Sequence, residues 1–355
     1  MPEIEARLYD KLDEKKTRCK VCPHRCTLSP GQVSICGMRK NVDGKLIFTA
    51  YGEISSIGID PVLKKPLNLF WPNHLTFSIA SVGCNFRCPW CQNYPITQVS
   101  LEEYKKYYPT TVMSPEDVVK EAKGFQCMSI SYTYNEPIIW YEYVIDTAKA
   151  AKKEGLMNIL VTNGYITLEA LEELVKYIDA ANVDWKAFKE STYARYMKAK
   201  LEPVLQATEE MKRKGVHVEI TYLVVPTVND DENEFREMCK YIVEHLGPEV
   251  PLHISRFYPH YKFTHVPPTQ VKILERFHDI AVEEGLLYVY VGNIPGHPYE
   301  NTYCPECKKM VIETWGFEIV KWNLDDDNRC IFCGAKVHVT GKHVKPKVRP
   351  LFGIF

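Results

Sequence analysis

LTFSIASVGCNFRCPWCQN, residues 75–93, decides the fold: a short β-rich apolar run leads directly into Cys84, Cys88 and Cys91, spaced by three and then two residues. A loop with that spacing can wrap three corners of one iron–sulfur cubane, and nothing local supplies a ligand for the fourth iron. Fully ligated clusters usually take four cysteines and serve electron transfer. Three thiolates with an open iron therefore point to a cluster that binds and activates something. The other reading of the same spacing is zinc held by three cysteines and a distant histidine.

From about 75 to 292 the chain repeats this texture, with apolar β-rich runs alternating with longer amphipathic stretches, the pattern of βα units in a parallel sheet. Strands are expected at 75–81, 128–133, 158–163, 182–188, 219–225, 253–258 and 287–291. Helices are expected from Ser114-Pro115 to about Lys123, and over about 138–154, 168–178, 193–214, 232–246 and 269–284. Gly155, Gly215, Gly247 and Gly285 stand where C-caps belong. Six βα units and a seventh strand suit an α/β partial (βα)6 TIM-like barrel, with a doubly wound sheet as the competitor. In either, ligands gather at the C-terminal ends of the strands, where the Cys84 loop begins.

Of the 13 cysteines, 11 fall into three sets, leaving Cys127 and Cys239 as small buried hydrophobes. Disulfides are a poor account of such grouping in a chain whose N-terminus, MPEIEARLYDKLDEKK, is charged and has no apolar signal core. No stretch approaches the roughly 18 apolar residues of a membrane span. The expected location is cytoplasmic. Lys plus Arg (44) balance Asp plus Glu (45), so no overall field favours nucleic acid.

Cys304, Cys307, Cys330 and Cys333 pair two Cys-x2-Cys knuckles, the donor set of a closed structural zinc site in a C-terminal zinc ribbon. Cys19, Cys22, Cys26 and Cys36 form an N-terminal Cys-rich metal module whose spacing fits zinc, the reading put first, or an auxiliary iron–sulfur cluster; His24 inside the loop is a candidate substitute ligand. The expected organisation is a four-cysteine metal module and lead-in over 1–70, the barrel over 71–295, the ribbon over 296–340 and a basic tail over 341–355.

Cys-x3-Cys-x2-Cys with Trp90 before the last cysteine resembles the radical S-adenosylmethionine signature. The resemblance implies a [4Fe-4S] cluster whose open iron is chelated by S-adenosylmethionine, reductive cleavage to a 5′-deoxyadenosyl radical, and hydrogen abstraction from a substrate. It also implies cofactor-binding residues beyond the cysteines and Trp90. Glu136, in Tyr132-Thr-Tyr-Asn-Glu-Pro137, stands in the acidic place of the Gly-Gly-Glu motif. Asn163 could reach the cofactor or be a turn asparagine before Gly164. Asp184 and Lys186 resemble the Asp-x-Lys pair of glycyl-radical activating enzymes, with a buried ion pair as the alternative. His253 resembles a cofactor-contacting histidine, or is a satisfied core histidine. Thr221 stands where activating enzymes often carry an arginine, so a carboxylate clamp of that kind is missing.

CKVCPHRC, ICGMRKN, KKPLNLFWPN, SYTYNEP, VDWKAF, PLHISRFYP and VGNIPGHPYENTYCPEC extend the resemblance over nearly the whole chain. Together they look like the radical S-adenosylmethionine enzyme of the AmmeMemoRadiSam system, similar to pyruvate formate-lyase activating enzymes. That resemblance implies Memo-like and AMMECR-like partner proteins, and a reductant such as ferredoxin or flavodoxin. Two other functions fit the motifs: activation of a glycyl-radical enzyme, and RNA modification or binding through the ribbon and tail. Tyr134 and His297, at loops expected on the barrel mouth, are candidate substrate contacts.

Overall fold

The computed structural model describes residues 3–345. Its main sheet has eight strands: β1 (Ser56–Pro61), β2 (Leu75–Ala80), β3 (Ser129–Tyr132), β4 (Met157–Thr162), β5 (Ala180–Asp184), β6 (His217–Val224), β7 (Leu252–Arg256) and β8 (Val289–Gly292). Spatial order equals chain order, and every pair from β2 to β8 is parallel. The crossovers carry α1 (Pro115–Gly124), α2 (Tyr141–Lys153), α3 (Leu168–Leu174), α4 (Glu202–Arg213), α5 (Glu232–Tyr241) and α6 (Val271–Glu283). Right-handed crossovers that always advance in one direction put all the helices on one face. A doubly wound sheet would reverse its order, so this topology is singly wound, as in a partial barrel.

The sheet also takes in residues from before position 71. β1 pairs antiparallel with β2, from Ser56↔Ala80 to Pro61↔Leu75, and covers the edge that β2 would otherwise expose. The two ends, β1 and β8, do not pair, so the sheet is open.

Two predicted elements end differently. β5 stops at Asp184: Trp185 N still donates to the Thr221 carbonyl of β6 at 2.9 Å, but beyond it side chains replace the neighbouring strand, Lys186 N donating to the Tyr193 hydroxyl at 3.1 Å and Phe188 N to Glu234 Oε1 at 2.7 Å. The helix expected over 193–214 breaks into a wide turn at Tyr193–Met197, a left-handed Lys198 (φ 59°), and α4 beginning at Glu202-Pro203. The break leaves the Met197 carbonyl free to accept from Arg87 N at 3.2 Å, inside the Cys84 loop. The four expected C-cap glycines all have positive φ, from 74° to 101°.

The N-terminal residues form two small antiparallel sheets around Thr17–Cys19 and Lys45–Phe48. They are pinned to α2 by Arg39, which bonds Glu142 Oε2 and the Ile139 carbonyl, each at 2.8 Å. The stretch between β1 and β2 lies under the sheet, where Asn68 N and Leu69 N donate to Glu219 at 3.0 and 2.8 Å. A three-stranded ribbon, β9 (Thr302–Tyr303), β10 (Met310–Trp315) and β11 (Glu318–Trp322), packs Val311 and Ile312 with Leu69, Tyr288 and Tyr290. Among the described residues no helix is long and apolar enough to cross a membrane. Of the expected basic tail, 346–355 lies outside the described residues.

Candidate active site and metal centres

The loop after β2 is held from several sides. Asn135 accepts from Ser81 N at 3.1 Å and donates to the Val82 and Gly83 carbonyls. Asn85 donates to the Tyr165 carbonyl at 3.1 Å, and Arg87 Nη1 donates to the Cys84 carbonyl at 2.8 Å. Gly83, at φ +86°, lies so close to the Cys36 carbonyl oxygen that a Cβ would run into it. That is a steric reason for glycine immediately before the first cysteine.

Cys84, Cys88 and Cys91 are free thiols, Cys88 buried and the other two half-buried. Burial first, then the Glu136 charge, pushes the Cys84 thiol well up; burial pushes Cys88 up to about 12 against the opposing charge of Lys186. Such thiols lose their protons to a metal far more readily than to water. Phe86 N donates to Cys84 Sγ at 3.3 Å, and Cys91 Sγ meets Thr97 Oγ1 at 3.2 Å. The donor set is sulfur alone, and its three sulfurs do not all lie within 4.8 Å of one another as the ligand atoms of the compact Cys304 set do. Soft thiolate donors outside such a compact tetrahedron suit an iron–sulfur cluster.

Glu136 is 3% exposed and spends both oxygens on the protein. It accepts from Thr162 Oγ1 at 2.6 Å, Ile138 N at 3.1 Å and Asn163 N at 2.8 Å. Burial nonetheless pushes its carboxyl up to about 7. Its effect is to fix Asn163, whose amide donates to Asn85 at 2.8 Å and stands 3.9 Å from Cys84 Sγ.

Lys186 Nζ bonds Asp184 at 2.8 Å, although Lys186 lies beyond the end of β5. Burial works to lower the lysine's pKa, but Asp184 and the Cys88 sulfur more than offset it and hold the ammonium above its ordinary range. Asp184, Thr221, His253 and Tyr290 are successive partners across β5, β6, β7 and β8, so their side chains share one face. Thr221 donates to Asn182 at 3.0 Å; His253 bonds Glu219 at 2.6 Å and stacks on Tyr290. Trp90, 4% exposed, packs against Tyr196 and Phe263.

Sequence reasoning missed Glu219. It is fully buried and accepts from His217, His253, Asn68 N and Leu69 N; burial would raise its pKa, but the two histidines bring it down to about 2. A lone glutamate in an apolar strand, between valine and isoleucine, was the available signal. Asn85 and Asn135 were also missed, because their amides serve loops distant in sequence.

Tyr134 reaches Asp60 with its hydroxyl, and Lys65 lies over its ring at 4.5 Å. His297 turns to the helix side and bonds Glu275 of α6 at 3.3 Å. Two cavities lie apart from the cysteine loop: one of about 710 Å³ between α1 and α2, and one of about 450 Å³ beside the ribbon, lined by Lys212, His217 and His338 among others. Neither cavity is lined by Cys84, Cys88 or Cys91.

In the ribbon, Cys304 and Cys333 sulfurs are 3.6 Å apart and those of Cys307 and Cys330 are 3.7 Å apart. Among the described residues this is the one group of three or more potential ligands whose donor atoms all lie within 4.8 Å of one another. Four sulfurs so close fit a tetrahedral zinc ion. In the N-terminal set Cys19, Cys22 and Cys36 are buried, Cys26 is half-buried, and His24 Nε2 is committed to the Asn85 carbonyl at 2.8 Å.

Residues 78–239 match the family description "Radical SAM superfamily". An uncharacterized protein of Methanocaldococcus jannaschii is 44% identical over 336 residues, covering 94% of this chain and 99% of that one. Pyruvate formate-lyase 1-activating enzyme of Escherichia coli (strain K12) is 24% identical over 167 residues, 45% of this chain and 65% of that protein. Pyruvate formate-lyase-activating enzyme of Clostridium pasteurianum is 25% identical over 169 residues, 45% of this chain and 66% of that one.

Proposed function

This chain belongs to the radical SAM superfamily, and from that premise we propose that it binds a [4Fe-4S] cluster at Cys84, Cys88 and Cys91 and uses S-adenosylmethionine to abstract hydrogen from a substrate. When bound, the cluster and S-adenosylmethionine supply an electron and a carbon radical. The chain's own residues hold and orient them. Asn163, fixed by Glu136, presents its amide beside Cys84; Asp184 and Lys186 offer an acceptor and a cation for a ribose and a carboxylate. Thr221 and His253 continue that face, and Trp90 walls the loop with apolar surface. The observation that carries the reading is the sulfur-only loop that follows the C-terminal end of β2. Anaerobic reconstitution with iron, sulfide and a strong reductant should give 5′-deoxyadenosine from wild type and none from Cys88→Ala. No product from wild type carrying a full cluster would sink the reading.

The names of the activating-enzyme relatives favour a protein as substrate, and a ferredoxin or flavodoxin is the reductant we propose. A glycyl-radical signal on a co-expressed partner is the test of that form. Zinc in the Cys304 ribbon, assembly with Memo-like and AMMECR-like proteins, and a cytoplasmic location complete the proposal.

A further inference from the structure

Cys19, Cys22, Cys26 and Cys36 do not share the geometry of the ribbon cysteines. No three of their sulfurs come within the 4.8 Å that the Cys304 set satisfies, whereas the Cys84 set is open in the same way. Four cysteine thiols outside that compact arrangement are the donor complement of a fully ligated electron-transfer cluster. A second observation lies beside them. Arg39 is 1% exposed, its backbone N donates at 3.2 Å to the Ser34 hydroxyl that meets Cys36 Sγ, and its Nε has no hydrogen-bond partner among the described residues. An orphaned buried donor is destabilising, and an anionic sulfur-rich group would satisfy it. Ser34 Oγ already meets Cys36 Sγ at 3.1 Å, a contact of the type that tunes cluster potentials.

This module also touches the catalytic loop. The Cys36 carbonyl abuts Gly83, the Ile35 carbonyl accepts from Arg87 Nη2, and His24 bonds the Asn85 carbonyl at 2.8 Å. Consecutive Cα atoms are about 3.8 Å apart, so contact between Cys36 and Gly83 brings the backbones of the two cysteine sets within about 10 Å. We propose that Cys19, Cys22, Cys26 and Cys36 bind a second iron–sulfur cluster, which passes electrons from a low-potential donor protein to the cluster at Cys84, Cys88 and Cys91. The donor loses one electron, the N-terminal cluster is reduced and reoxidised by that electron, and no bond or proton changes in the transfer. The relay rests on the function proposed above; the cluster itself does not.

The test uses full-length protein with Cys84, Cys88 and Cys91 all changed to Ala, reconstituted anaerobically with iron and sulfide. The expected result is a brown protein with about four irons per chain, and a paramagnetic signal on reduction that vanishes when Cys22→Ser and Cys36→Ser are added. Zinc in place of iron at this set, counted with the ribbon zinc removed by Cys330→Ser, or no metal at all, overturns the assignment. For the relay, Cys22→Ser in the otherwise native chain should slow reduction of the remaining cluster by flavodoxin or ferredoxin by an order of magnitude, while dithionite still reduces it. Unchanged rates with the protein donor refute the relay. Product formation by wild type tests the parent proposal separately, since the iron count does not depend on it.

Discussion

Replacing Glu136 by Gln separates the burial of this carboxyl from every other titration in the molecule. The group ionises near 4.5 in an unfolded chain and at about 7 in the fold, where burial outweighs the three hydrogen bonds donated to it. Because the folded value is raised, its contribution to stability is fully present below pH 4.5 and is lost as pH rises through about 7. At about 1.4 kcal/mol per pH unit, the interval between those values corresponds to about 3 kcal/mol. Glutamine does not titrate, and it sets an amide donor against Asn163 N–H, Ile138 N–H or the Thr162 hydroxyl, at about 1–3 kcal/mol. Urea unfolding of wild type and Glu136→Gln, followed anaerobically from pH 4.5 to 8, should show wild type losing about 3 kcal/mol relative to the variant, all of it by about pH 7. A protonated-carboxyl infrared band should disappear near the same pH in wild type and be missing in the variant. Parallel stability profiles, or a band already gone at pH 5, would refute the reasoning.

Glu219→Ala removes the acceptor of two histidines and two backbone amides and should lower stability by about 3–5 kcal/mol, read from the urea midpoint. Since the folded value of Glu219 is lowered to about 2, its contribution is fully present above 4.5 and lost as pH falls toward 2; a variant with unchanged acid stability contradicts this. Cys330→Ser should abolish the zinc binding proposed for the ribbon and expose Met310–Trp322 to protease while iron content stays at the wild-type level; zinc retained on a chelating column would oppose it. Lys186→Met should weaken S-adenosylmethionine binding by about tenfold or more in calorimetry with iron content preserved, as loss of a charge-assisted contact predicts, and an unaltered Kd would exclude the lysine from the cofactor seat.

The local readings that succeeded were those decided by nearest neighbours in sequence. The alternation of strands and helices and the C-cap glycines depend on spacing and periodicity, which a chain displays openly. What the sequence could not carry were partnerships between distant positions. β1 joins the sheet because β2 has a free edge, a fact of strand order. The helix expected through 193–214 breaks where Tyr193 and Met197 serve Lys186 and the cysteine loop. Glu136 reads as a cofactor ligand in its motif, yet its oxygens are engaged by Thr162 and Asn163 of the next strand end.

The sequence by itself determined three cysteine sets and a parallel α/β architecture. Tertiary structure alone decided that one of those sets is compact and the other two are not, and that the N-terminal set packs directly against the loop of Cys84, Cys88 and Cys91. The physical reason is that ligand identity is written in the order of residues, whereas ligand separation and the contact of two loops depend on backbones brought together across the fold.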